Sequence, residues 1–310
     1  MKRRNFIKYT GAGLIVSTTN PAWAFRSLKP ESKKLTILHT NDFHSRIDPF
    51  PPGSGRNSLQ GGVARKSTLI QQIREKEANL LLFDSGDVFQ GTPYFNFFAG
   101  QLEMQIMALL KYDALTIGNH DFDGGIENLA KQLEQVRFPV LCGNYNFANT
   151  PMEGKTKPYH IFKKDGLRIG VFGLGIELKG LVPKELYTNT IYEDPVEKAN
   201  EYAKLLKVEE KCNLVVCLSH LGYQYQENKV SDVTLAAATE NIDVILGGHT
   251  HTFLPAPTKV KNVAGKTVFI NQAGWGGIIL GRLDFIFQGD KPAGLAHAEN
   301  IPVGEKNWLV

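Results

Sequence analysis

The sequence predicts an α/β protein. Short apolar runs rich in Val, Ile, Leu and Phe alternate with longer stretches whose apolar residues recur every three or four positions, and most of the apolar runs end in a polar cluster. The composition agrees: 42% hydrophobic and 21% charged residues over 310 positions suit a chain that buries a core and exclude collagen, coiled coil and disorder.

In chain order, strands are expected at 35–39, 80–84, 114–117, 140–142, 169–174, 214–219, 244–246, 268–271 and 281–286, where β-branched and aromatic residues concentrate. Helices are expected at 62–77, 102–111, 125–136, 195–210 and 233–239 from their three- and four-residue spacing. The Pro- and Gly-rich stretch 48–60 reads as a mobile rim loop, because a strand and a helix of one alternating pattern flank it. There is no internal repeat. A single domain over 35–310, preceded by a short polar lead-in at 25–34, fits better than two domains.

Residues 1–24 stand apart. They hold Lys2, Arg3, Arg4 and Lys8 and no acid, which accounts for the whole formal charge of +4 and leaves the remainder neutral. A neutral body lacks the electrostatic footprint of a protein that binds duplex nucleic acid. A basic start, the weakly apolar run 9–19 and Ala22-Trp23-Ala24 have the pattern of an export leader, and Arg3-Arg4 followed by Asn5-Phe6 resembles the twin-arginine type, whose transporter carries folded proteins. The expected location is the periplasm or the exterior. No later stretch has the roughly 18 apolar residues that span a bilayer. The three cysteines, Cys142, Cys212 and Cys217, are odd in number and lack zinc-type spacing, so they are expected in the core rather than in disulfides.

The chemistry lies at the strand ends. The first strand leads to Asp42-Phe43-His44, the second to Gly86-Asp87, the third to Gly118-Asn119-His120-Asp121-Phe122-Asp123, and later ones to His220 and to His249-Thr250-His251. One Asp after a strand is ordinarily a cap, and one His beside an apolar run is ordinarily structural. Together, however, six Asp and His residues plus an Asn form the nitrogen and oxygen ligand set of a divalent metal pair. In α/β sheets such segments meet in a crevice at the carboxyl ends of the strands. With no thiolate among them, Mn, Fe, Co or Zn in an open site fits better than a structural zinc. His39 is expected behind the ligands, where it would anchor Asp42 or His44, while His160 and His297 are expected to be structural. Tyr94, Phe95, Phe97 and Phe98 form an aromatic run that reads as core packing, with a pocket wall as the alternative.

These blocks, in this order, resemble the signature of calcineurin-like metallophosphoesterases. The fuller strings His39-Thr40-Asn41-Asp42-Phe43-His44, Gly118-Asn119-His120-Asp121-Phe122-Asp123 and Gly247-Gly248-His249-Thr250-His251-Thr252 are similar to those of the 5'-nucleotidase and UDP-sugar hydrolase branch. The resemblance implies a four-layer sandwich of two mixed sheets flanked by helices. It places Asp42, His44, Asp87 and His251 on one cation and Asp87, Asn119, His220 and His249 on the other, with Asp87 bridging. A water held between the cations would attack phosphorus in line as hydroxide. His120 would stabilise the phosphoryl or leaving oxygen and Asp123 would orient it, a helix cap being the alternative for Asp123. The implied substrates are nucleoside monophosphates, with 2',3'-cyclic nucleotides or UDP-sugars as alternatives. Because the family's nucleotidases carry a C-terminal domain that clamps the base, and this sequence shows no counterpart, a separate protein resembling that domain is an expected partner. A binding subunit with little activity of its own is the reading from another class, and it would be favoured by degenerate ligands, which are not seen.

Overall fold

The computed structural model describes residues 32–288 and 291–304. The expected leader at 1–24 lies outside the described residues. The strands are β1 (Ser32–Thr40), β2 (Leu80–Asp84), β3 (Ala114–Thr116), β4 (Val140–Leu141), β5 (Tyr145–Asn146), β6 (Tyr159–Lys164), β7 (Leu167–Leu174), β8 (Ile191–Tyr192), β9 (Leu214–Ser219), β10 (Val244–Gly247), β11 (Thr258–Lys261), β12 (Thr267–Asn271), β13 (Ile279–Gln288) and β14 (Lys291–Pro302). The helices are α1 (Val63–Lys76), α2 (Pro93–Phe98), α3 (Gln101–Leu109), α4 (Ile126–Leu133), α5 (Lys184–Tyr187), α6 (Pro195–Lys204) and α7 (Asp232–Ala238).

Two mixed six-stranded sheets form, ordered β14-β13-β1-β2-β3-β4 and β11-β12-β10-β9-β7-β6. In the first, β1 to β4 run parallel and β13 joins β1 antiparallel. In the second, β7, β9, β10 and β12 run parallel, with antiparallel β6 and β11 at the edges. Side chains alternate as the pleat requires. Leu35, Ile37, Leu81 and Phe83 meet Leu214, Val216, Leu218 and Leu246 between the sheets. On the outer faces, Leu38 and Leu82 pack under α1, α3 and α4, and Val215 and Cys217 pack under α6 and α7. Helix, sheet, sheet and helix are the four layers that the resemblance implies. Burial on both faces explains why the central strands read as unbroken apolar runs.

Three edge strands went unpredicted for the opposite reason: β6 and β11 carry Lys at their exposed positions, and β14 mixes His, Glu and Asn with small residues. The predicted helix 195–210 is α6 followed by a π-helical turn, Leu205–Glu209, in which the Glu210 N–H reaches the Leu205 carbonyl at 2.9 Å. The stretch 48–60, expected as a mobile loop, is tied at its base, since the Phe50 N–H reaches the Gln60 carbonyl at 2.9 Å and the Leu59 N–H reaches the Phe50 carbonyl at 3.0 Å. All three cysteines are free and buried.

Gly173 sets how closely the sheets converge. A Cβ there would lie 2.1 Å from the Leu141 carbonyl and 2.7 Å from Thr116 Oγ1, both in the facing sheet, and the Gly143 N–H bonds the Gly173 carbonyl at 2.8 Å. Gly173→Ala therefore has to part the sheets where β4 meets β7. The expected loss is about 1–3 kcal/mol in urea unfolding, read as a lower midpoint at unchanged slope.

Candidate metal centre

All five polar strand ends reach one crevice, three from the first sheet (β1, β2, β3) and two from the second (β9, β10). Each strand there gives way to an abrupt turn, and five of the implied ligands occupy the left-handed backbone region that glycine favours. These are Asp42 (φ 50°), His44 (φ 50°), Asp87 (φ 56°), His249 (φ 72°) and His251 (φ 53°). Each such residue costs on the order of 1 kcal/mol or more unless its surroundings fix it. Here the turns fix one another: the Asp42 N–H bonds the Gly86 carbonyl at 2.9 Å and the His44 N–H bonds the Asp87 carbonyl at 3.0 Å. Gly86 and Gly118 let these loops touch, because a Cβ on Gly118 would fall 2.2 Å from Asp87 Oδ1.

Two clusters result, Asp42 with His44 and His251, and Asp87 with His220 and His249. In the first, the Nε2 atoms of His44 and His251 are 2.9 Å apart, and Asp42 Oδ1 lies 3.3 Å from His251 Nε2 and 3.8 Å from His44 Nε2. In the second, Asp87 Oδ2 lies 3.0 Å from His220 Nε2, and Asn119 Oδ1 lies 2.8 Å from His249 Nδ1. The same Asp87 Oδ2 is 3.9 Å from His44 Nε2, so one carboxylate faces both clusters.

These spacings suit metal ions. Bonds of about 2.1 Å to one ion put neighbouring ligand atoms about 3 to 3.5 Å apart. His220 Nε2 is buried and makes no aligned hydrogen bond, even though Asp87 is adjacent. His220 Nδ1 bonds the Ser85 carbonyl at 2.6 Å, which aims Nε2 into the crevice. Burial alone would lower the His220 pKa, but the Asp87 carboxylate outweighs it and lifts the imidazole to about 10, while Asp87 itself falls well below the usual carboxylate range. His220 would give up that proton on holding a cation, as such ligands generally do. Burial pulls His249 down to about 4 and also lowers His44, so these rings are neutral donors.

His120 stands at the rim, with its side chain 38% exposed against 1% for Asp87. Its N–H bonds Asp87 Oδ1 at 2.8 Å, and its Nδ1 lies 2.8 Å from Asp123 Oδ2, a bond that raises its pKa. Asp123 makes no cap: α4 starts from Gly125 without a side-chain bond.

Several buried polar residues escaped the sequence reading. Asp121 accepts from the backbone N–H groups of Asp87, Val88, Phe89 and Gly118 at 2.8–3.1 Å and so shapes the Asp87 turn. Asn41 Nδ2 bonds Asp42 Oδ2 at 2.6 Å. Gln272 Nε2 bonds the Gly248 carbonyl at 2.5 Å, which holds the His249–His251 turn. Trp275 stacks on His251 with ring centroids 5.4 Å apart at 11°. Asp121 and Asn41 lie within the strand-end motifs beside the implied ligands, and Trp275 stands between Gly274 and Gly276. His39 corrects an expectation: its Nε2 bonds Asn271 on β12 at 2.8 Å, not Asp42 or His44. His160 meets Phe162 edge to face on an edge strand and His297 lies exposed beside Glu299, both away from the clusters.

A calcineurin-like phosphoesterase family model matches residues 35–253. Rat 5'-nucleotidase is 35% identical over 273 residues, covering 82% of this chain and 46% of the relative, and a Naja atra snake venom 5'-nucleotidase is 36% identical over 249 residues, covering 77% and 45%. A 5'-nucleotidase precursor from Thermus thermophilus superposes with a TM-score of 0.80 at 32% identity, covering 88% of this chain and 55% of that one. A calcineurin-like phosphoesterase, YfkN from Bacillus subtilis, gives 0.71 at 26% identity, covering 88% and 92%. The chain spans about half the length of the curated relatives it matches.

Because Asp87 faces both clusters, Asp87→Asn should weaken both. Elemental analysis after exposure to Mn or Zn should give well below two ions per chain, whereas two tightly held ions would show that the carboxylate is not shared.

Proposed function

The chain belongs to the calcineurin-like phosphoesterase family and is related to 5'-nucleotidases, and from this premise we propose that it hydrolyses nucleoside 5'-monophosphates with two divalent cations. The observation that carries the reading is one buried carboxylate, Asp87, that faces two His/Asp clusters beneath an open rim that bears His120. Asp42, His44 and His251 with Asp87 would hold one ion, and Asn119, His220 and His249 with Asp87 the other. Bound there, the pair would supply an acidified water and charge neutralisation for the phosphoryl oxygens.

The chain's own residues do the rest. Asp87 fixes the separation of the two clusters, and Asp121 holds the turn that carries it. His120 Nδ1 is committed to Asp123, which leaves Nε2 free and, by raising the ring's pKa, favours the imidazolium form in which Nε2 carries a proton. That N–H is placed to meet negative charge developing on a phosphoryl or leaving oxygen, with the cost of orienting it already met by Asp123. Asp123 is thus a positioning residue. The Arg3-Arg4 leader supports action outside the cytoplasm after export in the folded state.

The test is a substrate panel on protein reconstituted with Mn or Zn: nucleoside 5'-monophosphates, 2',3'-cyclic nucleotides, UDP-glucose and an aryl phosphate. The highest kcat/KM is expected for a nucleoside 5'-monophosphate. Preference for the cyclic diester would move the assignment to phosphodiesterase, and hydrolysis of none would overturn it. His120→Asn should keep both ions while kcat falls roughly 10²- to 10³-fold. Unchanged kcat would remove His120 from the reaction, and lost metal would make it a ligand. Replacing Arg3 and Arg4 with Lys should leave active precursor in the cytoplasmic fraction, and continued export in a strain lacking the twin-arginine transporter would contradict that route.

A further inference from the structure

One buried carboxyl has no part in the chemistry described so far. Asp232 opens α7 and is fully buried, yet among the described residues its Oδ2 has no hydrogen-bond partner, and burial pushes its pKa up to about 8. It does not cap the helix. Ser231 does so, accepting the Thr234 N–H while Thr234 reaches back to the Ser231 N–H. A buried acid with one oxygen unsatisfied is costly, so the reason for it lies in what the carboxyl holds.

Its Oδ1 is joined to the loop that carries His220. Ser219, which ends β9, donates its hydroxyl to Asp232 Oδ1 at 2.5 Å, and the same hydroxyl accepts the Leu221 N–H at 3.2 Å. The residues on either side of His220 are thereby fixed to one carboxyl. The Asp232 N–H adds a bond to the Gly222 carbonyl at 2.8 Å, one position farther along. This bracket matters because His220 meets two groups at once: its Nδ1 bonds the Ser85 carbonyl at 2.6 Å, and its Nε2 lies 3.0 Å from Asp87 Oδ2.

The other oxygen reaches the next ligand turn. A Cβ on Gly247 would lie 2.0 Å from Asp232 Oδ2 and 3.2 Å from Gln272 Nε2, so the carboxyl fills the space beside the end of β10. His249 follows two residues later. One side chain thus stands behind both histidines of the Asp87 cluster, His220 through hydrogen bonds and His249 through packing. The first cluster rests on other supports, Asn41 beside Asp42 and Trp275 on His251. Resting on the two-cation reading of the site, we infer that Asp232 is a positioning residue for the cation held by Asp87, Asn119, His220 and His249. Partners placed behind metal ligands in this way set affinity, and losing one costs about 10- to 100-fold.

The experiment labels the histidines of the full chain with heavy nitrogen and titrates the protein with buffered zinc, following each ring in proton–nitrogen correlation spectra. In Asp232→Ala the zinc concentration at half-response should rise about tenfold or more for His220 and His249 and stay within about threefold for His44 and His251. Asp232→Asn, whose amide oxygen can still accept the Ser219 hydroxyl, should recover most of the loss. If Asp232→Ala does not fold, Ser219→Ala removes a single hydroxyl and is read by the same criterion at His220. Equal weakening at all four rings would mark a general loosening of the fold, and unchanged half-responses would mean no role; either result overturns the inference. Wild-type rings indifferent to zinc would overturn the two-cation reading itself, and the role of Asp232 with it.

Discussion

The structure turns on one buried carboxylate. Asp87 is 1% exposed, receives the His120 N–H, lies against His220, and is drawn toward His44 from a loop of the same sheet. Removing a carboxylate from water is costly unless opposite charge and hydrogen bonds compensate. Two more carboxylates stand close behind it. Burial raises Asp121 to about 6, with the Asp87 charge adding to the rise, and burial raises Asp84 to about 7. Such a concentration of buried acid needs strong local compensation, which Thr40 and Lys66 supply to Asp84 and backbone N–H groups supply to Asp121. At Asp87 the two His/Asp clusters are consistent with a dinuclear metal site, and cations held there would tie their binding to the stability of the loops around them.

Preorganisation follows from how that cost is distributed. Five implied ligands hold left-handed backbone conformations, each unfavourable alone, and bonds between neighbouring loops hold the turns that carry them. Asp121 gathers four N–H groups from two loops, and Asp42 accepts the N–H of His249 from the other sheet at 3.0 Å. The ligands thus keep their places through contacts between sheets, and the inter-sheet core of Leu35, Ile37, Val216 and Leu246 fixes the distance across which those contacts form. Packing and chemistry are joined here: parting the sheets at Gly173 loosens a core and tilts two halves of one site.

How much of this was legible in the sequence depended on burial. Central strands such as β1, β2, β9 and β10 are apolar on both faces and were readable, as were the Asp and His residues that end them. Polar edge strands such as β11 and β6 lacked that signal, because Lys placed against edge pairing looks the same as Lys in a loop. Within the site, residues that touch the crevice declared themselves by type and spacing, whereas their supports did not. Asp121 and Asn41 act through groups that the fold alone brings near, and His39 pairs with Asn271, more than two hundred positions away. The aromatic run split in a way periodicity cannot show: Phe95 turns inward while Phe97 faces solvent on the same short helix.

That split separates two kinds of position across the molecule. The turns that carry the Asp and His clusters are held by buried bonds between loops, and in such a site a displacement of an ångström is expensive. Trp275, stacked on His251, and Phe50, edge to face against Trp275, extend that packed region as far as Arg46. Phe97 and Phe98, exposed on a six-residue helix, stand outside it, so substitutions there leave the bonds of the cluster-bearing turns in place.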